Sequence, residues 1–170
     1  MLQIFQTQFI GVLKQIKEQE ETIEECGRAL AQAVVGEGTI YIIADREMTP
    51  IASAIVHADK TNRIEALDKE NIAIITPADR VVYFTSYSST GDMVMVESLL
   101  ERHITVIGIA GNDRVGIDKM CDFFINTCLV QSLVPTDEGE RIGLPFIGVG
   151  LYVFELLSLV LTDILLEYEE

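Results

Sequence analysis

Residues 79–102 read DRVVYFTSYSSTGDMVMVESLLER. Val81, Val82, Tyr83, Phe84 and Thr85 are β-branched or aromatic in succession, as a buried strand would be. The run ends at Ser86-Tyr87-Ser88-Ser89-Thr90-Gly91, a turn of small hydroxyl residues. From Asp92 onward the period changes, because Met93, Val96 and Leu100 recur at helical spacing while Glu97 and Glu101 fall outside that stripe. A strand therefore meets a helix N-terminus here. The free N–H groups of a helix start carry partial positive charge and bind phosphate well. An ordinary N-cap turn needs one hydroxyl, and Ser86, Ser88, Ser89 and Thr90 supply four in five residues. The stretch reads as an anion site, with plain capping as the alternative.

Outward from this stretch the chain repeats the strand–helix alternation. Upstream, Thr39 to Ala44 (TIYIIA) is the first strand. The charged loop Asp45-Arg46-Glu47-Met48 follows, and then Thr49 as N-cap with Pro50 as first helical residue. Arg46 could pair with a phosphate there, and Asp45 or Glu47 could accept sugar hydroxyls; a solvated salt-bridge loop is the alternative. Ile64 to Leu67 is a weak strand, and Ile72 to Ile75 is ambiguous by period. Downstream, Ile104 to Ile109 (ITVIGI) and Phe123 to Asn126 are further strands. Before all of these, Leu2, Phe5, Phe9, Val12, Leu13 and Ile16 mark one amphipathic helix. Thr22-Ile23-Glu24-Glu25 reads as the capping box of a second. Apolar runs alternating with helices imply a parallel sheet between helix layers. Ligands on such sheets bind at the strands' carboxyl ends, near the reversal of strand order, where the loops after Ala44 and Thr85 would meet.

The chain has 170 residues, of which 49% are hydrophobic, and this suits one domain spanning residues 1–170. Lys plus Arg number 12 against 27 Asp plus Glu, a formal charge of −15. That balance speaks against nucleic acid or an anionic membrane as partner. Beyond roughly 8 Å exposed charges are screened at physiological salt, so a local nest of donors can still hold an anion. Cys26, Cys121 and Cys128 lack metal-site spacing and read as reduced thiols of a cytoplasmic protein. The N-terminus shows no signal-peptide pattern. Gly143 to Leu166 is very apolar, but Glu155 and Asp163 interrupt it, so it reads as a buried or interface helix rather than a membrane span. This helix and the first one together carry more apolar surface than one small sheet layer needs, and a homodimer or larger homo-oligomer is expected.

The strand, the Ser86-Tyr87-Ser88 turn and the following helix resemble the sugar isomerase (SIS) domain family, which binds phosphosugars. Ser89 stands where that family's Ser-x-Ser-Gly pattern has glycine. The resemblance implies a three-layer α-β-α sandwich with a doubly wound, five-stranded parallel sheet and two N-terminal helices. It also implies a phosphosugar bound by Ser86, Ser88, Ser89, Thr90 and Gly91, with Asp45 and Arg46 contributing from a loop that is glycine- and serine-rich in the family. Val134-Pro135 and Arg141-Ile142, framing the entry to a last helix over about Phe146 to Glu167, are similar to the corresponding segment of phosphoheptose isomerases. Those enzymes carry zinc ligands. Here the aligned positions are Ala54, His57 or Ala58, Gly143 and Leu151, and zinc needs three or four N, O or S ligands. No metal and no cofactor are expected. A metal-independent aldose–ketose isomerase would need a base, for which Glu138 and Glu140 are the candidates, with Arg141 to steady an enediolate. For Glu138 and Glu140 the alternative is a solvated acidic loop; for the whole chain the alternatives are a non-catalytic phosphosugar sensor acting through a partner protein, and a structural oligomer with a vestigial site.

Overall fold

The computed structural model describes residues 1–59, 61, 63–112 and 115–169. Helices α1 (Leu2–Lys17) and α2 (Glu20–Val35) come first, followed by β1 (Ile40–Ala44), α3 (Pro50–Ala58), β2 (Ile64–Ala66), β3 (Arg80–Tyr87), α4 (Thr90–Glu101), β4 (Thr105–Asn112) and β5 (Phe123–Asn126). A short hairpin of β6 (Val134–Pro135) and β7 (Arg141–Ile142) leads into α5 (Phe146–Glu169). Strands β1 to β5 form one parallel sheet in the order β2-β1-β3-β4-β5. Helices cover both faces, so the architecture is the expected α-β-α sandwich.

Alternation along the strands sorts the core into two layers. Ile40, Ile42, Val82, Phe84, Ile107, Ile109 and Ile125 face one side, where α1, α2, α3 and α5 supply Ile16, Leu30, Ile51 and Leu157 among others. Tyr41, Ile43, Val81, Tyr83 and Val106 face the other side, against Met95, Val96 and Leu99 of α4. The second layer is thin. Besides α4 it consists of short 3-10 turns, Lys69–Ile74 and Ile117–Lys119, with Ile72, Ile75 and Ile117 packed inward. The ambiguous Ile72–Ile75 run is therefore not a strand, since most of it lies in the Lys69–Ile74 3-10 turn.

Four local readings are corrected. The second helix begins at Glu20 with Gln19 before it, so Thr22 lies inside the helix and caps nothing. Strand β3 continues through Ser86 and Tyr87, in register with β4 as far as Asn112, which shortens the turn to Ser88 and Ser89. The buried stripe of α4 is Asp92, Met95, Val96 and Leu99, about one residue out of phase with Met93, Val96 and Leu100. Thr49 precedes Pro50 as expected, but its hydroxyl donates to Arg46 O at 2.8 Å rather than capping α3.

Residues 146–168 make a helix long and apolar enough to cross a membrane. Its Val149, Val153, Phe154, Leu157 and Leu161 are buried in the sheet-facing core. Gly27 lets α2 approach it closely, because a Cβ there would lie 2.3 Å from Val160 Cγ1.

Candidate functional site

Strand order reverses between β1 and β3, and the carboxyl edge at such a reversal is the crevice where open α/β sheets bind ligands. The β1 loop stays tied to the sheet through Asp45 N–H, which donates to Phe84 O at 3.0 Å. Arg46 then takes φ 53°, a left-handed conformation that non-glycine residues rarely adopt. Such a backbone costs on the order of 1–3 kcal/mol and persists only where its surroundings fix it. Here they do. The Arg46 guanidinium donates from Nη1 to Asp45 Oδ1 and Thr85 Oγ1, both at 2.9 Å, and from Nη2 to Ser89 Oγ at 3.0 Å. Its Cζ lies 4.4 Å from the centroid of the Tyr87 ring. Arg46 thus crosses the crevice from the β1 loop to the start of α4.

On the α4 side the organising group is Asp92, whose side chain is 1% exposed. Oδ2 accepts Ser89 N–H at 2.7 Å and the Ser89 hydroxyl at 2.8 Å, and lies 3.2 Å from Arg46 Nη1. Oδ1 accepts the Tyr83 hydroxyl at 2.7 Å and the Lys69 ammonium at 2.5 Å. Lys69, from the β2–β3 connection, also binds Asp45 Oδ2 and sits 5.0 Å from the Tyr83 ring centroid. Burial pushes the Asp92 carboxyl up, but the bonds from Lys69, Tyr83 and Ser89 outweigh it and hold it down at about 2. Burial likewise pulls Lys69 and Arg46 down. Bonds to Asp45 and Asp92 for Lys69, and a bond to Tyr87 with the charges of Asp45 and Asp92 for Arg46, reverse this and raise both. Burial raises the Tyr83 phenol. At the rim, exposed Glu47 accepts the Ser86 hydroxyl, which keeps its carboxyl below the usual range.

The hydroxyls of the turn therefore have separate duties. Thr85 accepts from Arg46 and donates to Tyr87 O at 2.7 Å. Ser86 and Ser88 are buried, Ser89 links Arg46 to Asp92, and Thr90 and Gly91 are exposed. Ser89 has φ −135°, extended backbone that any residue adopts, so the turn closes without the family's glycine. Thr90 and Gly91 open α4, and first-turn amides have no intrahelical acceptor. A Cβ on Gly91 would meet only Ser89 Oγ, at 3.7 Å.

Asp45, Arg46, Ser86 and Ser89 come together in this crevice. Glu138, Glu140 and Arg141 lie elsewhere on the chain path, around the β6–β7 hairpin. All three are exposed, and the Arg141 side chain donates to Ser132 O at 2.7 Å and Leu133 O at 3.1 Å. Among the described residues no group of three or more His, Cys, Asp and Glu is placed to hold a metal ion. Sequence reasoning missed Lys69, Tyr83 and Asp92. Two of them left a signal: Ser89-x-x-Asp92 has capping-box spacing, and a tyrosine in a buried strand needs a partner for its hydroxyl.

Comparison with known proteins agrees with this architecture. The family model described as a domain of unknown function, DUF2529, matches residues 1–165. An uncharacterized protein of Bacillus subtilis, YwjG, is 33% identical over 172 residues, spanning 99% of both chains. Among solved structures, phosphoheptose isomerase GmhA of Neisseria gonorrhoeae superposes with a TM-score of 0.62 at 13% identity, covering 94% of this chain and 98% of that one. The sugar isomerase domain of an RpiR transcription factor from Sphaerobacter thermophilus gives a TM-score of 0.61 at 16% identity, covering 96% of each chain. The fold is that of sugar isomerase domains.

Proposed function

The chain belongs to the DUF2529 family, and we propose that it binds a phosphosugar in the crevice between the carboxyl ends of β1 and β3. The observation that carries this reading is the placement of Arg46 across the switch point, beside the first turn of α4. A guanidinium presents planar donors suited to phosphate. The first-turn amides of Thr90 and Gly91, on exposed residues, would add the helix-terminus donors. Asp45 and Glu47 are placed to accept sugar hydroxyls. The similarity in fold to a phosphoheptose isomerase and to a transcription factor's sugar isomerase domain supports the ligand class.

We favour binding without turnover, as in a phosphosugar sensor that acts through a partner protein. A general base works best with a pKa near the operating pH. In this crevice Asp92 is held down at about 2 and Glu47 is also lowered, while Asp45 is engaged by both Arg46 and Lys69. The second reading, a metal-independent isomerase, assigns the base to Glu138 or Glu140 and the enediolate to Arg141. These residues are exposed on the β6–β7 hairpin and would have to reach the sugar bound at the crevice to act on it. Thermal denaturation with pentose, hexose and heptose phosphates tests the binding. A phosphosugar at 100 times its dissociation constant should stabilise the protein by about 2.7 kcal/mol, and the same sugar without phosphate should not. Proton NMR of the mixtures should show no interconversion. Turnover lost in Glu138→Gln or Glu140→Gln would replace the sensor with the isomerase, and no stabilisation by any phosphosugar would end both.

A homodimer is part of the proposal. Two chains of charge −15 repel each other, so contact belongs on uncharged faces. Residues 1–13 and 142–154 contain no charged side chain. They expose Leu2, Ile4, Ile10, Leu144 and Ile147, and Phe5 of the first stretch packs against Gly143 of the second. Light scattering at micromolar concentration should give about twice the 18.9 kDa chain mass; a mass of one chain would contradict this.

A further inference from the structure

The β2–β3 connection brings one residue into the crevice that no motif announces. Lys69 reaches Asp45 of the β1 loop and Asp92 of α4 with a single ammonium. A lysine has three donors; two serve these carboxylates, and the ring of Tyr83 lies beside the group. Arg46 engages the same two carboxylates from the other side. Each acid is thus shared between two cations, and the four groups together are neutral. Glu47, bonded to Ser86, is the further carboxylate at the rim.

We infer that Lys69 is a positioning residue that sets the charge balance of the crevice, so that Arg46 can take an incoming phosphate. The inference rests on the phosphosugar reading. Without the Lys69 charge, Asp45 and Asp92 would converge on one guanidinium. Arg46 would be held by two carboxylates, the four-group set would carry a net negative charge, and an anion would be turned away. Lys69 acts through Arg46 and need not touch the ligand. Two consequences separate this from a packing role. The isosteric stem of Lys69→Met should not suffice, while Lys69→Arg should. Removing a carboxylate should compensate for removing the cation, because neutrality is restored.

The experiment measures inorganic phosphate binding by phosphorus NMR on the full chain. The variants are Lys69→Met, Lys69→Arg and the double variant Lys69→Met/Asp45→Asn. A hydrogen bond to a charged group is worth enough to change affinity by about tenfold or more. Lys69→Met should lose at least that factor, Lys69→Arg should stay within about threefold of the wild type, and the double variant should regain most of the loss. Lys69→Met binding phosphate like the wild type overturns the inference and leaves the phosphosugar reading standing. So does a double variant as weak as Lys69→Met. If Lys69→Met fails to fold, the neutral double variant decides: binding near the wild type supports the inference, and misfolding or lost binding overturns it. A wild type that binds no inorganic phosphate overturns the inference, while the phosphosugar reading stands or falls by the thermal denaturation with phosphosugars.

Discussion

Asp92→Asn should unfold with a stability about 3 kcal/mol below that of the wild type, a loss readable as a fall of roughly 6–12 °C in melting temperature. The substitution keeps the shape of the side chain and removes its charge. Lys69 and Arg46 are 28% and 21% exposed, so each would keep a half-buried positive charge with only Asp45 left to share. The Ser89 amide and hydroxyl and the Tyr83 hydroxyl would lose a charged acceptor at the same time. The pH dependence gives a second check. The Asp92 carboxyl lies at about 2 in the folded chain against an ordinary value of 3.8. A depressed acid contributes stability above its unfolded pKa and loses it as pH falls through the folded one. At 1.36 kcal/mol per pKa unit this amounts to about 2 kcal/mol. The gap between wild type and Asp92→Asn in urea denaturation should therefore be full above pH 4 and shrink toward pH 2. A gap unchanged over that range would show that the carboxylate is not the group that matters.

The legible parts of this molecule are those fixed by neighbours in sequence. Val81 to Thr85 could only be a buried strand, and the change of period at Asp92 placed the next helix. From these the parallel sheet and its reversal of strand order between β1 and β3 followed. The misjudged edge of β3 has a physical reason. Tyr87 favours a strand but Ser86 before it and Ser88-Ser89 after it do not, so the hydroxyl cluster reads as a turn, yet pairing with β4 carries the ladder through Tyr87. The α4 stripe slipped for a related reason: its buried face includes Asp92, a charge that hydropathy assigns to solvent and that burial accepts only because Lys69, Arg46, Tyr83 and Ser89 surround it. Arg46 and Asp45 stood out as charges where a resembling loop has glycine and serine. Lys69 did not, because its role depends on the β2–β3 connection folding back across the crevice, and no spacing along the chain encodes that.

Ser89→Asp should abolish phosphosugar binding while leaving the chain folded. From the sequence alone the substitution promises a fold kept or slightly strengthened, since a carboxylate at a helix start is favoured by the dipole by about 0.3–1 kcal/mol. The structure changes that expectation. Ser89 Oγ lies 2.8 Å from Asp92 Oδ2 and 3.0 Å from Arg46 Nη2. A carboxylate there would face a like charge and would lose the hydroxyl's donation to Asp92, so a net destabilisation of about 1 kcal/mol is expected. Its effect on binding should be far larger. The new charge would capture the Arg46 edge that faces α4 and stand beside the amides of Thr90 and Gly91, placing an anion where the phosphate should go. Ser88 is buried and is not among the donors assigned to the phosphate, so Ser88→Ala, which adds no charge, should act on stability and leave the ligand response near that of the wild type. The measurement is thermal denaturation of the wild type and both variants, with and without a phosphosugar that stabilises the wild type. Capping alone would make both substitutions act on stability and leave the ligand response intact. A Ser89→Asp protein that still responds like the wild type would place the phosphate somewhere other than the start of α4.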